Sequence, residues 1–365
     1  MSRLRRYGRP SPIAVAVSGG QDSLLALALA REQAVQEKRE CVAVHGRFLP
    51  PTGVSIEREE EMARICKELK VQFLVADLVD TFYKRVIQPF VNEYLNGRTP
   101  NPCAHCNPVI KLGALLEYAR IEVGADFLAT GHYANTKWTK HGPALYRGKD
   151  PAKDQSYFLS LLKWNQLEKA LFPLGELHKS QVPDELAKRG LTPPAPEESQ
   201  EICFIPDDDY CAFLERTALK HHLELPGPGP VFLADGSLLG KHQGLWRYTL
   251  GQRRGLGIAH SEPLYVLEKD VETNALIVGS AQYTHRKGCT ARQVNILVQP
   301  KHWPETVLAQ TRYRQKAKPA TAEYDRKRKE LQISFLEPQG LPAPGQVAAI
   351  YDDTGRVLAA GVISA

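Results

Sequence analysis

Ser18-Gly19-Gly20-Gln21-Asp22-Ser23 stands between the apolar run Ile13-Ala14-Val15-Ala16-Val17 and a stretch whose Leu24, Leu25, Leu27, Ala28 and Ala30 fall at helical spacing. A buried strand, a tight turn and a helix start in that order form an anion-binding nest. Two glycines let the backbone approach a phosphate closely, the serine hydroxyls donate to it, and the unpaired N–H groups and dipole of the helix start favour negative charge. An acidic side chain in such a loop repels its ligand unless it also holds a divalent cation. Asp22 therefore points to a Mg2+–nucleotide complex, with pyrophosphate as the anion. The pattern is not the Walker loop, because no Gly-Lys-Ser/Thr follows. An ordinary β-to-α turn is the alternative reading.

Cys103-Ala104-His105-Cys106 is the second chemical feature, and Pro100 and Pro102 fix the backbone immediately before it. That spacing serves a redox pair or half of a metal site, and with no second Cys-x-x-Cys a closed four-cysteine zinc site is not expected. Cys203, in Glu198-Ser199-Gln200-Glu201-Ile202-Cys203-Phe204-Ile205-Pro206, reads on its own as a core thiol. Cys41, in a strand-like run, and Cys66, in a helix-like one, take the same reading, as do Cys211 and Cys289.

The elements that must position these groups follow from periodicity. Up to about residue 200, apolar runs at 13–17, 41–44, 72–76 and 126–130 alternate with helical patterns, which predicts a parallel sheet with helices on its faces. Ligands of such sheets bind at the carboxyl ends of the strands, where both the Ser18 loop and Thr130-Gly131-His132 fall. Pro/Gly clusters at 192–196 and 226–230 punctuate the chain. Beyond them, short runs such as 264–267, 275–278, 347–351 and 357–360 predict β structure, ending in a barrel.

At 365 residues with 43% hydrophobic content the chain can bury a core in two or three domains. No apolar stretch approaches the ~20 residues of a membrane span, and the basic start Arg3, Arg5, Arg6 and Arg9 has no apolar signal region, so a cytoplasmic protein with no membrane partner is expected. An odd number of cysteines, seven, argues for reduced thiols over a disulfide scaffold. A net charge of +6 is compatible with a polyanionic partner without demanding one.

The Ser18 loop resembles that of ATP pyrophosphatases, and further ordered blocks extend the likeness along almost the whole chain. These are Gly97-Arg98-Thr99-Pro100-Asn101-Pro102 leading to Cys106-Asn107, Ala129-Thr130-Gly131-His132-Tyr133, Lys153-Asp154-Gln155-Ser156-Tyr157-Phe158-Leu159 and Ile202-Cys203-Phe204-Ile205. His242-Gln243-Gly244, Tyr248-Thr249-Leu250-Gly251-Gln252-Arg253, Gly255-Leu256-Gly257, Arg312-Tyr313-Arg314 and Pro344-Gly345-Gln346 continue the series. Together they closely resemble the tRNA-specific 2-thiouridylases, which place sulfur on C2 of the wobble uridine of tRNA.

That resemblance implies an α/β N-terminal domain with a parallel sheet, like the adenine nucleotide alpha-hydrolases, over 1–205. A small central, mainly β domain over 206–282 and a tRNA-contacting C-terminal β-barrel over 283–365 would follow. It implies that ATP binds across Ala16, Val17, Ser18, Gly19, Gly20, Gln21, Asp22 and Ser23, with the backbone near Gly46 and Gly131 flanking the adenosine and Mg2+ near Asp22. The uridine C2 oxygen would be adenylated. Cys203 would carry sulfur as a persulfide from a relay donor or other sulfide source, and Cys106 would assist its release. Asn101, Pro102 and Cys103 would meet the target base of the anticodon stem-loop, and His132, Lys153, Asp154, Gln155, Arg312, Tyr313 and Gln346 would contact tRNA elsewhere.

The chain departs from that family where Cys103 replaces the usual Asp, giving Cys-x-x-Cys for Asp-x-x-Cys, and a family methionine near the adenosine is replaced around Gly46. Cys103, Cys106 and Cys203 could then ligate a four-iron, four-sulfur cluster with one iron open. Another adenylating ATP pyrophosphatase, of the amidotransferase or ligase class, and a non-catalytic tRNA-binding relative are the alternatives in function.

Overall fold

The computed structural model describes residues 10–195 and 202–364, so the basic start, Pro196 and the Glu198–Glu201 part of the Cys203 motif lie outside the described residues. Among the described residues two compact units form. One is drawn from 10–86, 103–195 and 354–357, the other from 87–102, 202–353 and 358–364.

The first unit is built on a parallel sheet. Strands β1 (Ile13–Ala16), β2 (Cys41–Arg47), β3 (Gln72–Asp77) and β4 (Phe127–Ala129) coincide with the four expected apolar runs. A hairpin of β5 (Ala134–Thr139) and β6 (Gly142–Arg147) stands apart, and the short β7 (Ala170–Leu171) completes the sheet in the order β3-β2-β1-β4-β7. Every neighbouring pair in the sheet is parallel. From β1 the chain runs outward to β2 and β3 on one side, and β4 lies on the other, so the order reverses between β1 and β4. A doubly wound sheet opens its ligand crevice at that point.

Helix α1 (Gln21–Gln36) packs Leu24, Leu25 and Leu27 against Ile13, Val15 and Ala43 in the unit's core. Helix α2 (Gly53–Glu68) starts at Thr52, whose hydroxyl accepts from Ser55 N while Ser55 Oγ accepts from Thr52 N, a reciprocal cap. Met62, Ile65 and Cys66 are its buried face. Arg47 at the end of β2 grips Glu59 with two hydrogen bonds and fixes α2 to the sheet.

The second unit contains a four-stranded sheet, β8 (Gly229–Leu233), β9 (Leu238–His242), β10 (Tyr265–Asp270) and β11 (Ala275–Gly279), and a closed six-stranded barrel. The barrel strands are β12 (His285–Ile296), β13 (Val307–Gln310), β14 (Lys318–Asp325), β15 (Glu330–Gly340), β16 (Val347–Tyr351) and β17 (Val357–Ile363), ordered β12-β15-β14-β13-β16-β17. On β15 Leu331, Ile333 and Phe335 point into the barrel core while Gln332, Ser334 and Leu336 are exposed, the period-two pattern of a strand with one buried face. The segment 87–102 belongs to this unit because its helix, Gln88–Leu95, is held by aromatic contacts. Phe90 meets Phe204 and Phe213 edge-on, and Tyr94 stacks on Tyr210 at 4.8 Å. Among the described residues no helix is long and apolar enough to cross a membrane.

Candidate active site

The loop between β1 and α1 holds itself open by its own serines. Ser23 Oγ accepts from Ser18 N at 3.1 Å and donates to Gly20 O, and Ser18 Oγ lies 3.2 Å from Ser23 Oγ. Gly19 takes the left-handed φ of +86° that glycine adopts without strain. No side chain caps the start of α1, and the N–H groups of a helix start suit an anion. The chain returns to this loop at Ala195, which donates to Gly19 O and forms a parallel bridge with Gly20.

Gly131 lies across the reversal point, and a Cβ there would sit 2.8 Å from the carbonyl carbon of Asp22. Only glycine lets the 130–133 loop approach the Ser18–Ser23 loop this closely. Gly46 is in β2 between His45, whose Nδ1 donates to Val17 O at 2.9 Å, and Arg47, and a Cβ on it would meet the Phe48 ring at 2.5 Å.

Asp22 is not an isolated carboxylate. Its Oδ1 accepts from Tyr133 Oη at 2.7 Å and from Lys179 Nζ at 2.6 Å. Both bonds fall on one oxygen, which leaves Oδ2 as the donor atom a hard cation would use, so the residue fits a Mg2+ ligand. No motif marked Lys179; it is 157 residues from its partner.

Around His132 the side chains interlock. Its Nδ1 lies 2.7 Å from Thr130 Oγ1 and its Nε2 3.2 Å from Lys111 Nζ, and burial together with the Lys111 charge holds the ring well below the usual histidine range. His132 is therefore an interior residue of its unit. Asp154 is buried too: it pairs with Arg147 at 2.6 Å and accepts from Gly148 N, Ser156 N and Ser156 Oγ. Gln155 exchanges hydrogen bonds with Tyr133 through its backbone N and its Oε1, and Lys153 is half-buried beside Asp150, to whose carbonyl its backbone N donates. The Lys153-Asp154-Gln155 block thus fastens the loop that carries His132.

Cys103 and Cys106 share the short helix Pro102–Cys106, which continues as a π-helix over Asn107–Leu115. The π turns have a local cause. Pro108 removes a backbone donor, Gly113 packs against Pro108 O where a Cβ would come within 2.7 Å, and Gln166 Nε2 donates to the carbonyls of Pro108 and Leu112. Burial raises the Cys103 thiol and the nearby Lys111 charge opposes that rise. Cys106 is buried.

Asn101 and Pro102 end the segment that belongs to the second unit, and Cys203 lies in that unit as well. Cys203 is exposed on a turn closed by Ile205 N donating to Ile202 O, immediately before Phe204 enters the aromatic cluster. In the barrel, Gln346 Nε2 donates to the carbonyls of Thr99 and Pro100 and so anchors the residues before Asn101. Arg312 Nη2 donates to Leu250 O and Leu341 O, and Tyr313 O accepts from Gln310.

All seven cysteines are free thiols. Among the described residues no group of three or more His, Cys, Asp or Glu side chains is placed to hold a metal ion.

Comparison with known proteins covers the whole architecture. A family described as tRNA methyl transferase HUP domain matches residues 11–207, one described as tRNA methyl transferase PRC-barrel domain matches 216–280, and one described as aminomethyltransferase beta-barrel domain matches 286–363. The chain is 50% identical over 356 residues, 96% of this chain and 98% of the other, to the tRNA-specific 2-thiouridylase MnmA of Nitratidesulfovibrio vulgaris strain Miyazaki F. It is 44% identical over 356 residues, 96% of this chain and 99% of the other, to the protein of the same name from Lawsonia intracellularis. Among solved structures, the U34-tRNA thiolase NcsA from Methanococcus maripaludis with its 4Fe-4S cluster matches at 18% identity and TM-score 0.35, over 58% of this chain and 67% of that one, a likeness too slight to carry an argument.

Proposed function

The chain belongs to the tRNA-specific 2-thiouridylase family and is a tRNA-thiolating transferase, and from that premise we propose that it adenylates the wobble uridine with ATP and replaces its C2 oxygen with sulfur carried on Cys203. What supports the adenylation step is the uncapped start of α1 after the Ser18–Ser23 turn, at the β1–β4 reversal. Family descriptions speak of methyl transfer and the relatives' names of thiolation. Relatives at 44–50% identity over nearly the whole chain are named for thiolation, and Cys106 and Cys203 supply thiols that sulfur transfer can use.

The uridine C2 oxygen is a poor leaving group. Its attack on the α-phosphorus of ATP expels pyrophosphate and leaves the oxygen as part of AMP, a good one. The N–H groups at the start of α1 and the hydroxyls of Ser18 and Ser23 hold the phosphates, and Gly131 gives them a close second wall. Asp22, braced by Tyr133 and Lys179, would hold Mg2+, which would supply positive charge against the phosphates.

Cys203 accepts sulfur from a relay donor as a persulfide. Cys106, as thiolate, attacks Cys203 Sγ, so that a Cys106–Cys203 disulfide forms and sulfide leaves. Sulfide adds to C2, AMP departs, and a thiol reductant later restores both cysteines. Asn101, Pro102 and Cys103 meet the target base, which an anticodon loop can present unstacked. Lys153, Asp154, Gln155 and His132 shape the loop wall, and Arg312, Tyr313 and Gln346 serve the tRNA from the barrel. The setting is the cytoplasm.

Pyrophosphate release tests this directly. The proposal expects release from ATP that depends on an added anticodon stem-loop and persists in Cys203→Ser, since adenylation precedes sulfur transfer. Release without a stem-loop, or stem-loop binding with no release, would point instead to a small-molecule ligase or to a binding protein. Iron retained after anaerobic purification, with thiolation lost on its chelation, would move the sulfur step to a cluster.

A further inference from the structure

Among the described residues Lys111 is a cation with no carboxylate partner. A lysine ammonium only donates, so its 3.2 Å contact makes His132 Nε2 the acceptor. The imidazole is neutral and carries its proton on Nδ1, which donates to Thr130 Oγ1 at 2.7 Å. A neutral ring does not offset the ammonium, and among the described residues no carboxylate forms an ion pair with Lys111. Lys179 differs in this respect, because Asp22 neutralises it at 2.6 Å.

The position of Lys111 is built. It lies inside the π-helix that Pro108, Gly113 and Gln166 impose. Its acceptor, His132, directly follows Gly131, whose backbone is pressed against Asp22 and Ser23 of the phosphate loop. One hydrogen bond and one residue therefore connect the ammonium to the nest. A half-buried charge left without a partner costs stability unless a ligand supplies the counter-charge.

Resting on the adenylation reading above, we infer that Lys111 is a further catalytic residue, the cation that contacts the α-phosphate of ATP, with His132 as the neutral acceptor that positions it. As the uridine oxygen bonds to the α-phosphorus and the bond to pyrophosphate breaks, a fixed ammonium offsets charge on the non-bridging oxygens. A tRNA backbone phosphate is the other source of the same chemistry.

Calorimetric titration with α,β-methylene-ATP decides between them without turnover, using wild type, Lys111→Met and Lys111→Arg, with the anticodon stem-loop titrated separately. The inference expects Lys111→Met to weaken the nucleotide analogue roughly tenfold or more, the loss of one charge-assisted hydrogen bond, and Lys111→Arg to restore most of it, while stem-loop affinity holds. Lys111→Gln replaces the Met variant if that one does not fold. Unchanged analogue affinity in a folded variant overturns the inference, as does a loss confined to the stem-loop or a wild type that does not bind the analogue. A wild type that binds the analogue yet makes no thiouridine would refute the proposed function instead, and the same titration would still judge Lys111.

Discussion

Burial sorts the thiols of this chain. It pushes Cys41 and Cys289 up to about 12 and Cys66 up to about 11, whereas Cys203 is exposed. Because the thiolate is the nucleophile, iodoacetamide at pH 7.5 should label Cys203 first and reach Cys41, Cys66 and Cys289 only near those high pH values or after unfolding, which peptide mass spectrometry reads. Cys106→Ser and Cys203→Ser should each lower thiolation roughly 100-fold or more, while Cys289→Ala retains it. His132 adds a pH effect. Its folded pKa is depressed, so the unfolded chain binds more protons below the ordinary value of 6.5. Stability should therefore fall as pH drops from about 6.5, and His132→Gln should flatten that fall in thermal melts. At this scale the Ser18–Ser23 turn and the cysteine spacing were legible, because both are contiguous. Lys111 and Lys179 were hidden, since each acquires its role from a residue brought near only by folding.

Elements were legible where their signal is local. The runs at 13–17, 41–44, 72–76 and 126–130 became β1 to β4; β1 and β4 are buried almost throughout, as apolar runs of a covered parallel sheet are, and the edge strand β3 only in part. The β5–β6 hairpin and the two-residue β7 gave no such run. Nor could the π-helix be read, since Gln166, which satisfies two of its carbonyls, is 58 residues from Pro108. Gln166→Ala should remove one hydrogen bond from each of those carbonyls at a cost of about 1–2 kcal/mol, lowering the melting temperature by a few degrees. Gly345 is a second test at this scale. Its φ is +92° and a Cβ would sit 2.9 Å from the Thr99 carbonyl carbon. Gly345→Ala should cost about 1–3 kcal/mol in strain alone and loosen the 97–102 segment.

As a whole, the chain builds its two units from interleaved segments. The parallel sheet and the terminal barrel follow from alternation and strand spacing, but nothing in residues 87–102 announces that they join the second unit. Their partners Phe204, Tyr210 and Phe213 come more than a hundred residues later. A net charge of +6, with Arg312, Arg314, Lys316 and Lys318 close together in the barrel sequence, sets the expectation for the polyanionic substrate. The logarithm of stem-loop affinity should fall linearly with the logarithm of salt concentration, and Arg312→Ala should reduce the slope.

The central claim is that ATP-dependent adenylation and sulfur on Cys203 together make 2-thiouridine. Its most direct test loads the protein with persulfide sulfur, removes the excess, adds stem-loop, ATP and Mg2+, and measures nucleosides by mass spectrometry. The account predicts 2-thiouridine from wild type in amounts that track the sulfur on Cys203, and none without ATP or in Cys203→Ser. Equal 2-thiouridine from Cys203→Ser, or product formed without ATP, would contradict it.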